Sequence, residues 1–424
     1  MNENSKQFLK KHGMLAANII PSREAGAMRE DMERGLAGEN SSMPMIPAYI
    51  SNEGVLRPGQ CAVVLDAGGT NFRCALLHFE KDGYRLEGLN KCKMPGIDAP
   101  VSWEGFVSFL ADQLEPLMVQ ADCIGFCFSY SAHITPEMDG RVVCIDKEVT
   151  VTGSAGQLVG ASLLHELERR GVTGKKVVIV NDTVAVLLGG SATLDKSAYS
   201  GFAGQVSGTG TNTCCSLPLR RIPKLHSPEE RSILVNLESG MYDGMPQGDF
   251  DREVDAASAN PGQKHFEKMT SGVYLGELLR RMLLRAAEEG LLSPEGAEKL
   301  AGLTGLDASF LDRWSCGEDL EQVCGTGKDR EFVKDLCIDL FERSARCMCT
   351  NLLAIMLLTG EGKEKEKPFC VCAEGSLVQK GRLYRPALER LLQEEGEKLG
   401  LYAVLKVGEE STLPGAAAAA LLNC

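Results

Sequence analysis

Two hydrophobic rhythms alternate along the chain. Short apolar and β-branched runs bounded by glycine or charged turns predict strands, and longer segments with apolar residues every three or four positions predict helices. Before residue 57 the pattern is one or two helices, clearest at MREDMERGL, followed by a Pro-containing loop. CAVVLDAGG then reads as a buried strand, and NFRCALLHFEKDGYRLEGLNKCKM continues as two more around a Lys-Asp-Gly turn. WEGFVSFLADQLEPLM has helical spacing, CIGFCFSYS is a strand, GQLVGASLLHELERRG a helix and KKVVIV a strand, after which TVAVLLGG starts a helix. The second half repeats this grammar. GFAGQVSGTGTNTCCSL and RSILVNLES are adjoining strands, residues 250–358 are mostly helical, and GEGKEKEKP is a solvated loop. PFCVCAEGS, YRPALERLLQEEGEKLG, YAVLKVG and PGAAAAALL close the chain as strand, helix, strand and helix. Strands alternating with helices predict α/β layers, and 424 residues allow two or more domains.

Two features interrupt the apolar pattern. In VVIVNDTVAVLLGG, four β-branched residues run into Asn181 and Asp182 before the apolar positions resume. One reading is a helix N-cap, since Asn and Asp accept hydrogen bonds from free backbone N–H groups. The other is functional, because open α/β sheets bind ligands at the C-terminal ends of their strands. There an Asp is placed to take a proton from an acceptor hydroxyl in phosphoryl transfer. The second feature is an internal echo: LDAGGTNFRCALL and SGTGTNTCCSL both read strand, Gly-Thr-Asn, strand. A glycine-rich turn beside a hydroxyl leaves backbone N–H groups open to a phosphate, although Gly-Thr-Asn also makes ordinary hairpins. Two such turns, each opening a βββα-type half, predict duplicated domains that clamp a polyphosphate. The G-x-x-x-x-G-K-[ST] phosphate loop is absent.

Composition narrows the partners. Net charge is −13 and no basic block stands out, which argues against nucleic acid and anionic membrane surfaces. No apolar run reaches membrane-span length, and the N-terminus lacks the order of a secretory signal. The 16 cysteines sit inside apolar runs such as GFCFSY and CMCTNLL with no CxxC pair. Buried free thiols in a reducing cytoplasm, rather than zinc ligands or disulfides, are therefore expected.

LDAGGTNFR, GFCFSYS, VNDTVAVLL, GTGTN, VNLESG, FDREVD, NPGQKHFEKMTSGVYLGE and AEGSL follow one another in this order. From about Met28 to the C-terminus the chain resembles the hexokinase family of the actin-like ATPase superfamily. The resemblance implies an α/β, two-lobed actin-like ATPase (ribonuclease H-like) fold with duplicated βββαβα cores and an active-site cleft between the lobes. The smaller lobe would span 57–182, with or without the terminal helix 412–424, and the larger 1–56 and 183–411. It also implies a cytoplasmic ATP-dependent hexose kinase that phosphorylates the 6-hydroxyl of glucose or a similar hexose, using Mg2+. Asp66, Gly68, Gly69, Thr70, Asn71 and Arg73 match the first phosphate turn, with Asp66 holding Mg2+ through water. Gly208, Thr209 and Gly210 match the second. Gly375 and Ser376 match the adenosine turn, and Ser411 and Gly415 the last nucleotide contact. Ser129, Lys147, Asn181, Asp182, Asn212, Glu238 and Glu267 match the sugar site, with Asp182 as base and Lys147 as partner to the sugar or the transferring phosphoryl. Such carboxylates and amides can grip adjacent pairs of sugar hydroxyls.

Departures from the family pattern lie on the sugar side. Tyr130-Ser131 stands where Phe-Pro is usual, Ile145-Asp146-Lys147-Glu148-Val149 where Trp-Thr-Lys-Gly-Phe is, and Glu238-Ser239-Gly240 where Glu-Trp-Gly is. Glu374 replaces a common Asp in the adenosine turn. An inward Asp146 would add charge near Asp182, at on the order of 4 kcal/mol for like charges ~4 Å apart at an effective dielectric of 20. These departures leave open a kinase for another sugar or an amino sugar, or an idle sugar sensor. A filament or chaperone ATPase would have no use for Ser129, Asn181 and Glu267 around a sugar.

Overall fold

The computed structural model describes residues 1–145 and 149–424. Its main strands fall into two sets of five with one topology. β1 (Cys61–Ala67), β2 (Asn71–Glu80), β3 (Gly83–Lys93), β4 (Cys123–Phe128) and β5 (Lys176–Val180) form a sheet in the order β5-β4-β1-β2-β3. β6 (Phe202–Ser207), β7 (Thr211–Pro218), β8 (Ser232–Asn236), β9 (Phe369–Glu374) and β10 (Ala403–Val407) repeat it as β10-β9-β6-β7-β8, extended past β8 by the short strand Ile46–Pro47. In each set the first three strands pair antiparallel and the last two join in parallel. The parallel pairs need helical crossovers, which is why each half reads as strands first and helices afterwards. β1 and β9 are buried almost throughout, whereas β3, at the edge, is largely exposed.

Helices Trp103–Leu114 and Val159–Arg169 cover one face of the first sheet through Phe106, Leu110, Leu163 and Leu167. The largest core surrounds the 33-residue helix Gly327–Thr359, whose start is fixed by a Thr326–Asp329 capping box and whose end is the left-handed Gly360. The helix Pro21–Ala37, which follows the N-terminal helix Glu3–Lys11, packs Met28 and Met32 into that core. Inside it, Arg343 and Asp251, 1% and 3% exposed, form a two-pronged ion pair at 3.0 and 2.6 Å. Removing either partner would strand a buried charge.

Between the two sheets lie helices Asp182–Ser191 and Thr412–Asn423, joined to both by one apolar cluster. The terminal helix follows β10 of the second sheet but seats its alanines, Ala416 to Ala420, against the first. Backbones meet directly here. A side chain at Gly125 in β4 would overlap the Ala416 carbonyl, and one at Gly415 would overlap that of Ala185.

The strand read through CIGFCFSYS is broken in the structure. β4 stops at Phe128, and Ser131–Ile134 pairs instead with Gly140–Cys144 as a separate hairpin. Asp139 anchors that hairpin, accepting N–H bonds from Gly140 and Gly160 at 2.6 Å and from Ala161 at 2.8 Å. All 16 cysteines are free thiols, as their apolar settings suggested. Burial raises Cys74 to about 11 and Cys215 to about 12, which keeps both protonated. No helix among the described residues is long and apolar enough to cross a membrane.

Gly125→Ala should therefore destabilise the protein by about 1–3 kcal/mol, because neither the strand nor the helix backbone can yield to the added methyl. Denaturant unfolding of the variant measures it, and an unchanged midpoint would contradict this packing.

Candidate active site

The strand ends of both sheets border one cleft of ≈ 1220 Å³. On one wall Gly68, Gly69 and Thr70 turn the chain from β1 into β2, with Gly69 at φ 124°, where a side chain is disfavoured. On the other, Gly208, Thr209 and Gly210 turn β6 into β7, closed by a Gly208 N–H bond to the Gly210 carbonyl at 3.0 Å. The echo in the sequence is thus an echo in space.

Asn181 and Asp182 enter this cleft from the end of β5. Asn181 is the N-cap: its Oδ1 accepts from the Thr183 N–H at 3.0 Å and the Thr183 hydroxyl at 2.7 Å. Asp182 is the first helical residue and lines the cleft, with Oδ1 accepting the Thr183 N–H at 2.7 Å. The two readings of this pair divide between neighbours, one capping and one facing the cavity. Ser129 lies beside them at the end of β4, and Glu238, Glu267 and Asn212 line the same cleft from the second half. Glu238 holds a left-handed backbone, φ 55°, and its Oε1 accepts from Asn236 Nδ2 at 2.7 Å and Asn212 Nδ2 at 3.3 Å. Glu267 Oε2 accepts the Thr211 N–H at 3.3 Å, and the Lys264 ammonium lies 3.6 Å from Oε1.

Comparison with known proteins matches this arrangement. Two family models, both described as Hexokinase, cover residues 21–192 and 202–422. The chain is 30% identical to Hexokinase-1 of Nicotiana tabacum over 99% of its own length and 90% of that relative. The chain belongs to the hexokinase family. It is also 28% identical to Hexokinase-1 of Saccharomyces cerevisiae, over 86% of this chain and 80% of that one. Among solved structures, a hexokinase from Schistosoma mansoni complexed with glucose aligns with TM-score 0.77 at 23% identity, covering 99% of this chain and 100% of that one. A second hexokinase crystal structure aligns with TM-score 0.80 at 20% identity, covering both chains completely. These likenesses carry the two-lobed α/β fold. As a hexokinase, the protein is an ATP-dependent sugar phosphotransferase.

Several residues matched by the resemblance sit differently from expectation in this hexokinase. Arg73 was expected at phosphate oxygens. It lies directly across the ladder from Asp66, and opposite charges on adjacent strands pair. Its guanidinium grips Asp66 Oδ2 through Nε at 3.1 Å and through Nη2, reaches the Thr412 hydroxyl at 2.9 Å and lies 3.4 Å from Glu410. Gly415 is not on the cleft but at the Ala185 carbonyl, where it serves helix packing. Ser411 is buried, donating its N–H to Glu374 Oε2 at 2.8 Å, and it is Glu374 that lines the cleft. Asn71 is exposed, with its amide 3.3 Å from the Thr70 hydroxyl. Lys147 and Asp146 lie outside the described residues.

Asn212 is fully engaged by the protein. Its Oδ1 accepts N–H bonds from Thr213 at 2.7 Å and Ser239 at 3.2 Å, while Nδ2 donates to Asn236 at 2.8 Å and to Glu238. All four hydrogen-bonding positions of the amide are used, so it holds Glu238 in place from behind. Asn236, which sequence reasoning missed, does the same from the end of β8. Its signal was the polar end of an apolar run, VNLES. Ser239, standing where an aromatic is usual, is fully buried, with its hydroxyl 3.0 Å from that of Thr213.

Gly375 and Ser376 line the cleft, and Ser376 also lines an adjoining cavity of ≈ 390 Å³. The two cavities share Gly208, Thr209, Val273 and Ser376, and Ala308, Phe341 and Leu377 complete the apolar wall of the smaller. Val273, Ala308 and Phe341 come from helices of the long helical stretch, and Leu377 from the short helix Ser376–Lys380 that follows β9.

Burial raises the carboxyl of Glu238 above its usual 4.5, and the nearby charges of Asp182 and Glu267 push the same way. A carboxyl whose pKa rises on folding favours the protein while protonated, and that contribution is lost as pH climbs through the raised value. At neutral pH the ionised group is held at a cost. Glu238→Gln keeps an oxygen for the amide donors and removes that cost, so the sugar-free variant should melt higher than wild type at pH 7 and bind hexose more weakly. Thermal denaturation with sugar titration checks both. Sugar binding by the wild type should fall, as pH is lowered, through a midpoint above 4.5.

Proposed function

We propose that this hexokinase transfers the γ-phosphoryl group of ATP to the 6-hydroxyl of glucose or a close relative, with Asp182 as the general base. The observation that carries the reading is the meeting of the Asp182 carboxylate with two glycine turns, one from each half of the chain, in a single cleft. Phosphoryl transfer demands little covalent chemistry from the protein and much positioning. The two turns supply backbone N–H groups to the phosphate chain from opposite sides. Glu238 and Glu267, ionised, accept hydroxyl protons of the sugar, and Asn181 offers its amide NH2 because its oxygen is spent on the cap. Ser129 adds a hydroxyl that both donates and accepts. Asp182, at the head of its helix, takes the proton from the attacking hydroxyl. The smaller cavity suits the adenine and ribose, its apolar walls receiving the base beside Ser376.

Asp66 fits a magnesium ion bound with the nucleotide. Its Oδ2 is engaged by Arg73 and Thr412, while Oδ1 is turned toward the Gly68 backbone at the first phosphate turn. Magnesium is commonly held by one or two carboxylates together with substrate phosphates, which agrees with the lack of a cluster of three or more metal-ligating side chains among the described residues. When bound there, the ion would neutralise charge on the β- and γ-phosphoryl oxygens. Closure of the lobes would then expel water, the competing acceptor.

Coupled ADP release across a panel of sugars should show turnover with glucose, and turnover confined to another sugar would overturn the acceptor assignment. Asp182→Ala should lower kcat by ~10²–10⁴ while sugar binding persists. A variant with wild-type turnover would remove Asp182 from the reaction.

A further inference from the structure

Tyr130 stands where the family pattern has a phenylalanine, and none of the assignments above gives its hydroxyl a role. The side chain is 5% exposed, and its ring packs against Phe128 with centroids 5.2 Å apart. Its phenolic O–H donates to the carbonyl oxygen of Gly69 at 2.8 Å. This bond, with that of the Ser129 N–H to the Ala67 carbonyl at 3.1 Å, ties the segment after β4 to the first glycine turn. Its acceptor belongs to a glycine at φ 124°, with no side chain of its own to fix the peptide plane.

We propose that Tyr130 is a positioning residue for the phosphoryl donor: it locks the Gly69–Thr70 peptide plane so that the Thr70 N–H keeps a fixed direction in the cleft. The peptide unit is planar and trans, so the carbonyl of Gly69 and the N–H of Thr70 point opposite ways. Holding one end fixes the other. A phenylalanine ring fills the same space without the hydroxyl and leaves this plane to be ordered by the nucleotide itself. The device preorganises a donor for phosphate from the acceptor side of the cleft. It is distinct from Arg73, which is committed to Asp66 on the neighbouring strands.

This inference rests on the kinase reading of the cleft, and Tyr130→Phe tests it because only an oxygen is removed from a packed ring. Loss of one such bond to a carbonyl that then lacks its partner should raise the KM and the calorimetric Kd for ATP by about 5- to 20-fold. Hexose KM should not move, and the thermal midpoint should fall by no more than about 2 °C, since one hydrogen bond is a small part of a 424-residue fold. A merely structural tyrosine would instead lower the midpoint further and weaken both substrates together, and that outcome overturns the proposal, as does an unchanged ATP Kd. The failure of the kinase reading looks different: wild-type protein would turn over no sugar at all, whereas the ATP Kd of the two proteins still compares the turn directly.

Discussion

The direct contact of backbones between the two central helices and their neighbours is the constraint on which the site depends. Asp182 heads a helix wedged between two sheets, and the terminal helix beside it presents alanines and Gly415 rather than long side chains. With Gly415 at the Ala185 carbonyl and Gly125 at that of Ala416, no rotamer change can take up slack. The head of the helix, where the cleft-facing carboxylate sits, is thereby fixed relative to both sheets. The duplicated sheets bring their glycine turns to the same place only because this small-residue layer holds the halves close.

The cleft itself is polar at a cost that its surroundings offset. Glu238 is buried near two other acidic groups, and burial disfavours its ionised form. Asn236 and Asn212 answer with amide hydrogens, and Asn212 is in turn held by backbone N–H groups of Thr213 and Ser239. Each amide's orientation is determined by the next, so the carboxylate is held in one geometry in the cleft. The small Ser239 belongs to this support. Where a large aromatic is usual, its buried hydroxyl meets Thr213, which also lies 3.0 Å from Asn351 in the long helix. The loss of an aromatic at that point is compensated by a polar contact with the core.

Arg73 shows how a local rule overrides a family match. Cross-strand register sets it opposite Asp66, and the ion pair follows from antiparallel geometry. The same pair brings in Thr412 and Glu410, so the first sheet is tied to the segment that leads into the terminal helix. The Asp66 carboxylate at the first glycine turn is thus also part of the connection to the terminal helix.

By itself the sequence determined most of the element order, the duplication, the free state of the thiols, most though not all of them buried, and the cleft-facing positions on both glycine turns. Each of these is written in short-range periodicity or in a run of a few residues, and the family resemblance added the carboxylates and amides that line the cleft. Tertiary structure alone decided the supporting cast. The polar end of VNLES marked Asn236 as unusual, but its bond to Asn212, 24 residues back, and that of Thr183 to Asn236, 53 residues on, exist only in the fold. The walls of the smaller cavity looked like ordinary helix core, and Gly415 like a ligand contact, because packing against another backbone leaves no local mark. The hydroxyl of Tyr130 reaches a carbonyl 61 residues back. Hydrogen bonds between distant segments depend on how the layers come together, and one-dimensional patterns carry no record of that approach.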